Sequence, residues 1–182
     1  MANKSKKINV AIFGFGRIGR NIFRLAFNDP RFKIVAISEF GPAEALHYLV
    51  ARDSIHGKLN EPIELLDNHL VIGNQKVAIL PGATPGMIPW STMDVDFVID
   101  ATGAYLKRDE LAKHIKAGAK RVIVSRTPDD RIDRMIIHGI NENAKISGLS
   151  IALIMNIGII KFKAVKLIKI VEFEYLYLFN NK

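Results

Sequence analysis

The chain has 182 residues, 49% of them apolar and 24% charged, a composition suited to one sizeable soluble core. It contains no Cys, which excludes a disulfide framework and a thiolate metal site and fits a reducing, cytoplasmic setting. The formal charge of +8 comes from 26 Lys and Arg spread along the chain, so it points to acidic small molecules and gives no sign of specific nucleic-acid recognition.

The short basic start leads straight into a strand, with none of the apolar core that a secretion signal requires. The β-branched run Ile8–Phe13 predicts that strand; Ile18, Ile22, Leu25 and Ala26 recur at helical spacing after it, and residues 32–37 read as a second strand. Residues 42–51 predict a helix with Ala45, Leu46, Leu49 and Val50 on one face, and residues 52–57 a polar connection. Short strands follow at Ile63–Leu66, His69–Ile72 and residues 77–80, joined by the turn pairs Asp67-Asn68 and Gly73-Asn74, as an antiparallel excursion from the main sheet. The Pro- and Gly-rich residues 81–89 form a loop. A buried strand at Phe97–Asp100 then precedes a helix over residues 106–117 that turns Leu111, Ala112 and Ile115 inward. Strands over residues 122–125 and 135–140 complete the sheet. This order predicts a Rossmann-type doubly wound α/β fold, with a mostly parallel sheet, over residues 1–148.

Between the first strand and its helix stand Gly14, Gly16 and Gly19 in G-x-G-x-x-G spacing, and Glu39 closes the next apolar run. Gly14 makes the tight turn out of the strand, Gly16 lets backbone approach a pyrophosphate, and Gly19 lets helix pack against strand. Glu39 falls where a carboxylate accepts hydrogen bonds from the adenosine ribose hydroxyls and repels a 2′-phosphate, which favours NAD over NADP. Thr102, Gly103 and Ser125 sit at the carboxyl ends of two further strands, where ligands collect in such sheets; a plain strand-to-loop turn explains them equally well. His47, His56, His69, His114 and His138 are scattered singly, without metal-ligand spacing, and read as surface or satisfied structural residues.

The segments Ile12-Phe-Gly-Phe-Gly-Arg-Ile-Gly-Arg20, Asp53-Ser-Ile-His-Gly57, Pro89-Trp90, Ala101-Thr-Gly103, Ala117-Gly-Ala-Lys120 and Gly139-Ile-Asn-Glu142 occur together in order. Over residues 8–143 the chain resembles the N-terminal half of glyceraldehyde-3-phosphate dehydrogenase; erythrose-4-phosphate dehydrogenase is similar over the same stretch. The resemblance implies that Arg17 and Ile18 meet NAD through backbone at the helix start, that Glu39 stands for an Asp at the ribose, and that Ser125 lines the nicotinamide side. Ala83 replaces an Arg often found beside the adenine, and Arg126 replaces a small residue next to the cofactor. The family is tetrameric, so full-length subunits are implied partners.

The pattern breaks after residue 148. The family continues with Ser-Asn-Ala-Ser-Cys-Thr-Thr-Asn, whose thiolate attacks the aldehyde, whereas here Gly148-Leu-Ser-Ile-Ala-Leu-Ile-Met-Asn-Ile-Gly158 follows. Neither Ser147 nor Ser150 has an activating base beside it in the sequence. Residues 149–182 form an atypical tail dominated by Ile, Lys, Phe, Asn and Tyr, without Asp, Pro, Arg or Thr, the bias of a frameshifted or truncated product. As a real replacement element it predicts a helix over residues 159–168 and a strand over 170–179; its apolar run over 149–160 is too short and interrupted to cross a bilayer. The chain is thus expected to be an NAD-binding half that is inactive alone, or a non-catalytic NAD-binding or oligomerisation module.

Overall fold

The computed structural model describes residues 7–137 and 151–155. In chain order the elements are β1 (Ile8–Phe13), α1 (Arg17–Ala26), β2 (Phe32–Glu39), α2 (Ala43–Ala51), β3 (Arg52–Asp53), β4 (Gly57–Lys58), β5 (Ile63–Leu66), β6 (His69–Ile72) and β7 (Gln75–Pro81). A 3-10 turn (Trp90–Met93) leads to β8 (Phe97–Asp100), α3 (Arg108–Lys116), β9 (Arg121–Val124), β10 (Arg134–Ile137) and β11 (Ile151–Met155). One sheet runs β10-β11-β9-β8-β1-β2-β7-β6-β5. Its neighbours are parallel from β10 through β7 and antiparallel from β7 to β5. This is the Rossmann-type α/β architecture that the alternation of strands and helices predicts.

Strand periodicity decides which face each side chain joins. From β1, Ile8, Val10 and Ile12 enter one core with Ile22 and Phe23 of α1, while Ala11 and Phe13 enter the opposite core with Trp90 and Leu111. All of β8 and β9 is buried, as expected of central parallel strands covered on both faces. Phe23 packs edge-on to Phe15 at 5.5 Å and stacks on Phe27 at 6.0 Å, so α1 is held by an aromatic row as well as by Ile22. Removing the Phe23 ring would cost about 3–5 kcal/mol.

Several expected boundaries shift for identifiable reasons. β2 extends to Glu39 because Ser38, though polar, is buried and donates its hydroxyl to the Pro81 carbonyl at 3.0 Å. The 52–57 connection contains the small β3–β4 ladder, around a turn in which Asp53 Oδ1 accepts the N–H groups of Ile55 and His56 at 2.9 and 2.8 Å. The hairpin between β5 and β6 places Asp67 and Asn68 at φ 47° and 57°, the type I′ geometry their pairing predicts. The excursion is continuous with the main sheet, because β7 lies parallel to β2.

Helix α3 begins at Arg108, where Asp130 accepts the Arg108 N–H at 2.7 Å and Glu110 accepts that of Lys107 at 3.1 Å. Leu111 is buried as expected, but the second fully buried position is His114; Ala112 and Ile115 are only half-buried. Residues 151–155, which composition places in the tail, form β11 and lie between β9 and β10. Asp133 fixes that insertion: its Oδ2 accepts the Ile151 N–H at 3.0 Å while Oδ1 accepts Arg108 Nη2 at 2.6 Å. The expected strand over 135–140 is represented by β10, with residues 138–140 outside the described residues, as are the expected helix over 159–168 and strand over 170–179.

Candidate functional site

Three residues carry the chain from β1 into α1. Gly14 has φ +91°, and a Cβ there would lie 2.6 Å from the Thr102 nitrogen. A Cβ on Gly19 would overlap the Gly14 carbonyl oxygen, so the helix touches the loop directly. Around Gly16 nothing lies within 4 Å of a built Cβ, and this residue is the N-cap of α1 without a side-chain cap. The two outer glycines are therefore required by close packing, and the middle one faces open space beside a helix start. The N–H groups of the first turn, from Arg17 through Gly19, have no carbonyl acceptor within the helix and carry its partial positive charge. Arg17 is exposed and Ile18 half-buried, while Arg20 braces the loop by donating from Nη1 to the Phe15 carbonyl at 3.0 Å.

Glu39 ends β2 beside this loop. Its Oε2 accepts the Phe15 N–H at 2.7 Å and its Oε1 accepts the Phe40 N–H at 2.8 Å. A carboxylate has about four acceptor positions, so two remain for a diol. Phe40 projects next to it, 76% exposed, with its ring against Gly82. Ala83, half-buried, packs on the core around Phe13 and Trp90.

On the other side of β1, the Thr102 backbone and hydroxyl both donate to Asp100 Oδ1, at 3.0 and 2.6 Å, and the Thr102 hydroxyl accepts the Ala104 N–H at 3.2 Å. Gly103 follows at φ +69°. Half-buried Ser125 donates its N–H to the Asp100 carbonyl at 3.0 Å. Arg126, exposed, reaches back from the end of β9 and donates from Nη1 to the Gly103 carbonyl at 2.9 Å. The glycine loop, Glu39, Thr102, Gly103 and Ser125 thus line one edge of the sheet, at the carboxyl ends of β1, β2, β8 and β9.

A buried arrangement that sequence reasoning missed supports this edge. Trp90 Nε1–H donates to His114 Nδ1 at 3.0 Å, which leaves the imidazole proton of a neutral ring on Nε2. That nitrogen faces Asp100 Oδ2 at 3.6 Å, with both side chains fully buried. The Phe13 ring stands edge-on over His114 at 4.6 Å. Only the helical spacing of His114 from Leu111 hinted at its burial, and nothing in the sequence pairs it with Trp90.

The other described histidines also have local partners. His47 Nε2 lies 2.8 Å from the Ile63 carbonyl, His69 Nδ1 lies 2.7 Å from the Asp67 carbonyl, and His56 Nδ1 lies 3.0 Å from Asp53. Burial pushes the Asp53 carboxyl up, but the N–H groups of His56 and Ile55 outweigh it and hold the group below the usual range. His138, Ser147 and Ser150 lie outside the described residues. A cavity of about 360 Å3 lined by Arg24, Asn28, His56, Lys58 and Glu61 opens elsewhere, and none of the glycine-loop residues borders it. Among the described residues no helix is long and apolar enough to cross a membrane.

Residues 8–108 match the family described as glyceraldehyde 3-phosphate dehydrogenase, NAD binding domain. The chain is 39% identical over 136 residues to glyceraldehyde-3-phosphate dehydrogenase 1 of Bacillus subtilis, covering 75% of this chain and 40% of that protein. It is 38% identical over 136 residues to the glyceraldehyde-3-phosphate dehydrogenase of Geobacillus stearothermophilus, with the same coverage. A Staphylococcus aureus relative, glyceraldehyde-3-phosphate dehydrogenase 2, is 37% identical over 135 residues, 74% of this chain and 40% of its own. The match therefore spans well under half the length of these relatives. With the glycine loop, the acidic end of β2 and the parallel strands β1, β2, β7 and β8 inside the matched region, the chain belongs to the glyceraldehyde-3-phosphate dehydrogenase family and carries its NAD-binding domain.

Proposed function

We propose that this chain is the cofactor-holding half of a phosphorylating glyceraldehyde-3-phosphate dehydrogenase, and that the 182 residues bind NAD without turning over an aldehyde by themselves. The observation that carries the reading is the open face of Gly16 at an uncapped helix start, next to Phe15, whose N–H anchors the Glu39 carboxylate at 2.7 Å with acceptor positions to spare. In this reading Gly14, Gly16, Arg17, Ile18 and Gly19 receive the pyrophosphate through backbone and helix dipole. Glu39 takes the adenosine ribose, and Thr102, Gly103 and Ser125 border the nicotinamide half. Bound NAD would supply the hydride acceptor; the chain's own residues bind and orient it.

The proposed lack of turnover rests on the chemistry of the aldehyde step. A covalent hemiacetal needs an activated nucleophile, and these residues include no thiol. Calorimetric titration of the 182-residue protein with NAD, together with an assay for NADH formation from aldehyde and phosphate, tests both halves of the proposal. Saturable NAD binding without NADH formation is expected. Absence of binding would overturn the cofactor assignment, and steady NADH formation would overturn the lack of turnover.

A further inference from the structure

Arg126, just past the end of β9, is tied to the turn that follows β8. Its guanidinium bridges the carboxyl ends of β8 and β9 by donating to the Gly103 carbonyl at 2.9 Å, on the far side of β1 from Glu39. A dinucleotide lying across the carboxyl ends of such a sheet, with its adenosine ribose at Glu39, has its other half over β8 and β9. This placement rests on the cofactor assignment above. The nicotinamide ring at that end carries a positive charge when oxidised and none when reduced, and the remainder of the molecule is the same in both forms. A cation held in place therefore acts on one redox form only.

We propose that Arg126 makes this site selective for the reduced cofactor, by fixing a positive charge on the Gly103 carbonyl beside the nicotinamide position. By linkage, a site that binds NADH more tightly than NAD+ makes the bound couple a stronger acceptor of the hydride, that is, of two electrons and one proton. Asp100, at the carboxyl end of β8, is buried, and its Oδ1 is taken up by the Thr102 backbone and hydroxyl.

NAD+ and NADH are titrated separately into the 182-residue chain and into Arg126→Gln, Arg126→Lys and Lys33→Gln. The glutamine keeps a donor for Gly103 without the charge, the lysine keeps the charge, and Lys33 is an exposed cation towards the amino end of β2 that reports the general effect of net charge. The parent chain is expected to prefer NADH by about tenfold, the scale set by two unit charges about 12 Å apart at the effective dielectric constant of about 20 that holds near a protein surface. Arg126→Gln should lose most of that preference by binding NAD+ more tightly, Arg126→Lys should keep most of it, and Lys33→Gln should leave the ratio unchanged. High salt should shrink the ratio in the parent chain. An unchanged ratio in Arg126→Gln, or an equal change for both forms, overturns the proposal while leaving the cofactor assignment standing. No binding of either form by the parent chain overturns both.

Discussion

The Glu39 carboxylate and the Phe15 N–H, 24 residues apart, meet at 2.7 Å and fasten the end of β2 to the turn between β1 and α1. The side chain proposed to take the ribose therefore also shapes the loop expected to receive the pyrophosphate. Removing it acts on every dinucleotide through the loop, and on the 2′-hydroxyl of NAD alone through the ribose.

Glu39→Ala should accordingly weaken NAD more than NADP. The loss for NAD should amount to about 1.5–3 kcal/mol, the range for hydrogen bonds to a charged group. Paired titrations with the two cofactors check it. Equal weakening would mean that the carboxylate serves only the loop.

The glycines of the loop should separate stability from binding. Gly19→Ala drives a Cβ into backbone that cannot yield without moving the loop, and should cost about 1–3 kcal/mol in chemical denaturation. Gly16→Ala meets nothing within 4 Å, and its stability should stay within about 1 kcal/mol of the parent, as for Gly against Ala at an N-cap. Its NAD affinity should nevertheless fall, because the methyl group occupies the open face. A Gly16→Ala protein with parent-like affinity would argue against a pyrophosphate there.

Asp133 ties α3 to the start of β11, and this tie should be sensitive to acid. Burial pushes its carboxyl up, but the Arg108 guanidinium and the Ile151 N–H outweigh burial and hold it below the ordinary range. With the folded value below the unfolded one, the stabilisation is complete above about pH 4 and disappears as pH falls through the folded value. Asp133→Asn should lower stability by about 1 kcal/mol at neutral pH, a modest figure because solvent reaches the pair. The gap between variant and parent in thermal midpoints should close below about pH 4; a gap that persists in acid would assign the effect to packing.

Trp90 and His114 form the interior counterpart of that tie. Trp90→Phe keeps an aromatic ring but leaves the buried Nδ1 of His114 without its donor, which should cost about 1–3 kcal/mol in urea unfolding. An unchanged midpoint would show that the ring takes its proton or a water by another route.

Much of the fold is legible because its strands are short and regular. The runs Ile8–Phe13, Ile63–Leu66, His69–Ile72 and Phe97–Asp100 have the same bounds in the sequence reading and in the structure, each closed by Gly, Asp-Asn or another turn residue. The positions of Gly14, Gly19 and Glu39 around one turn follow from a spacing tied to backbone geometry. Long-range partnerships were not legible. Trp90 with His114, Asp133 with Ile151 and Arg126 with Gly103 join residues 18 to 24 apart through the layout of the sheet, which no local periodicity encodes. Composition also misplaced Ile151–Met155: a fully apolar run reads the same whether it begins an irregular tail or fills an interior strand, and the gap between β9 and β10 that it occupies exists only in three dimensions.

That late strand bears on how the molecule is assembled during synthesis. β9 and β10 are separated by β11, so a nascent chain that has emerged only as far as Ile137 holds two strands of one sheet with the space between them empty. Until Ile151–Met155 leaves the ribosome, β9 offers a bare edge of unpaired amides and carbonyls, and β10 has no neighbour on the β9 side to bind. The interval is the vulnerable stage for intermolecular strand pairing, and a chaperone that covers strand edges would act during it. Closure of the sheet thus waits for about eighteen residues beyond Ile137 to be made, an order of events that the finished fold conceals.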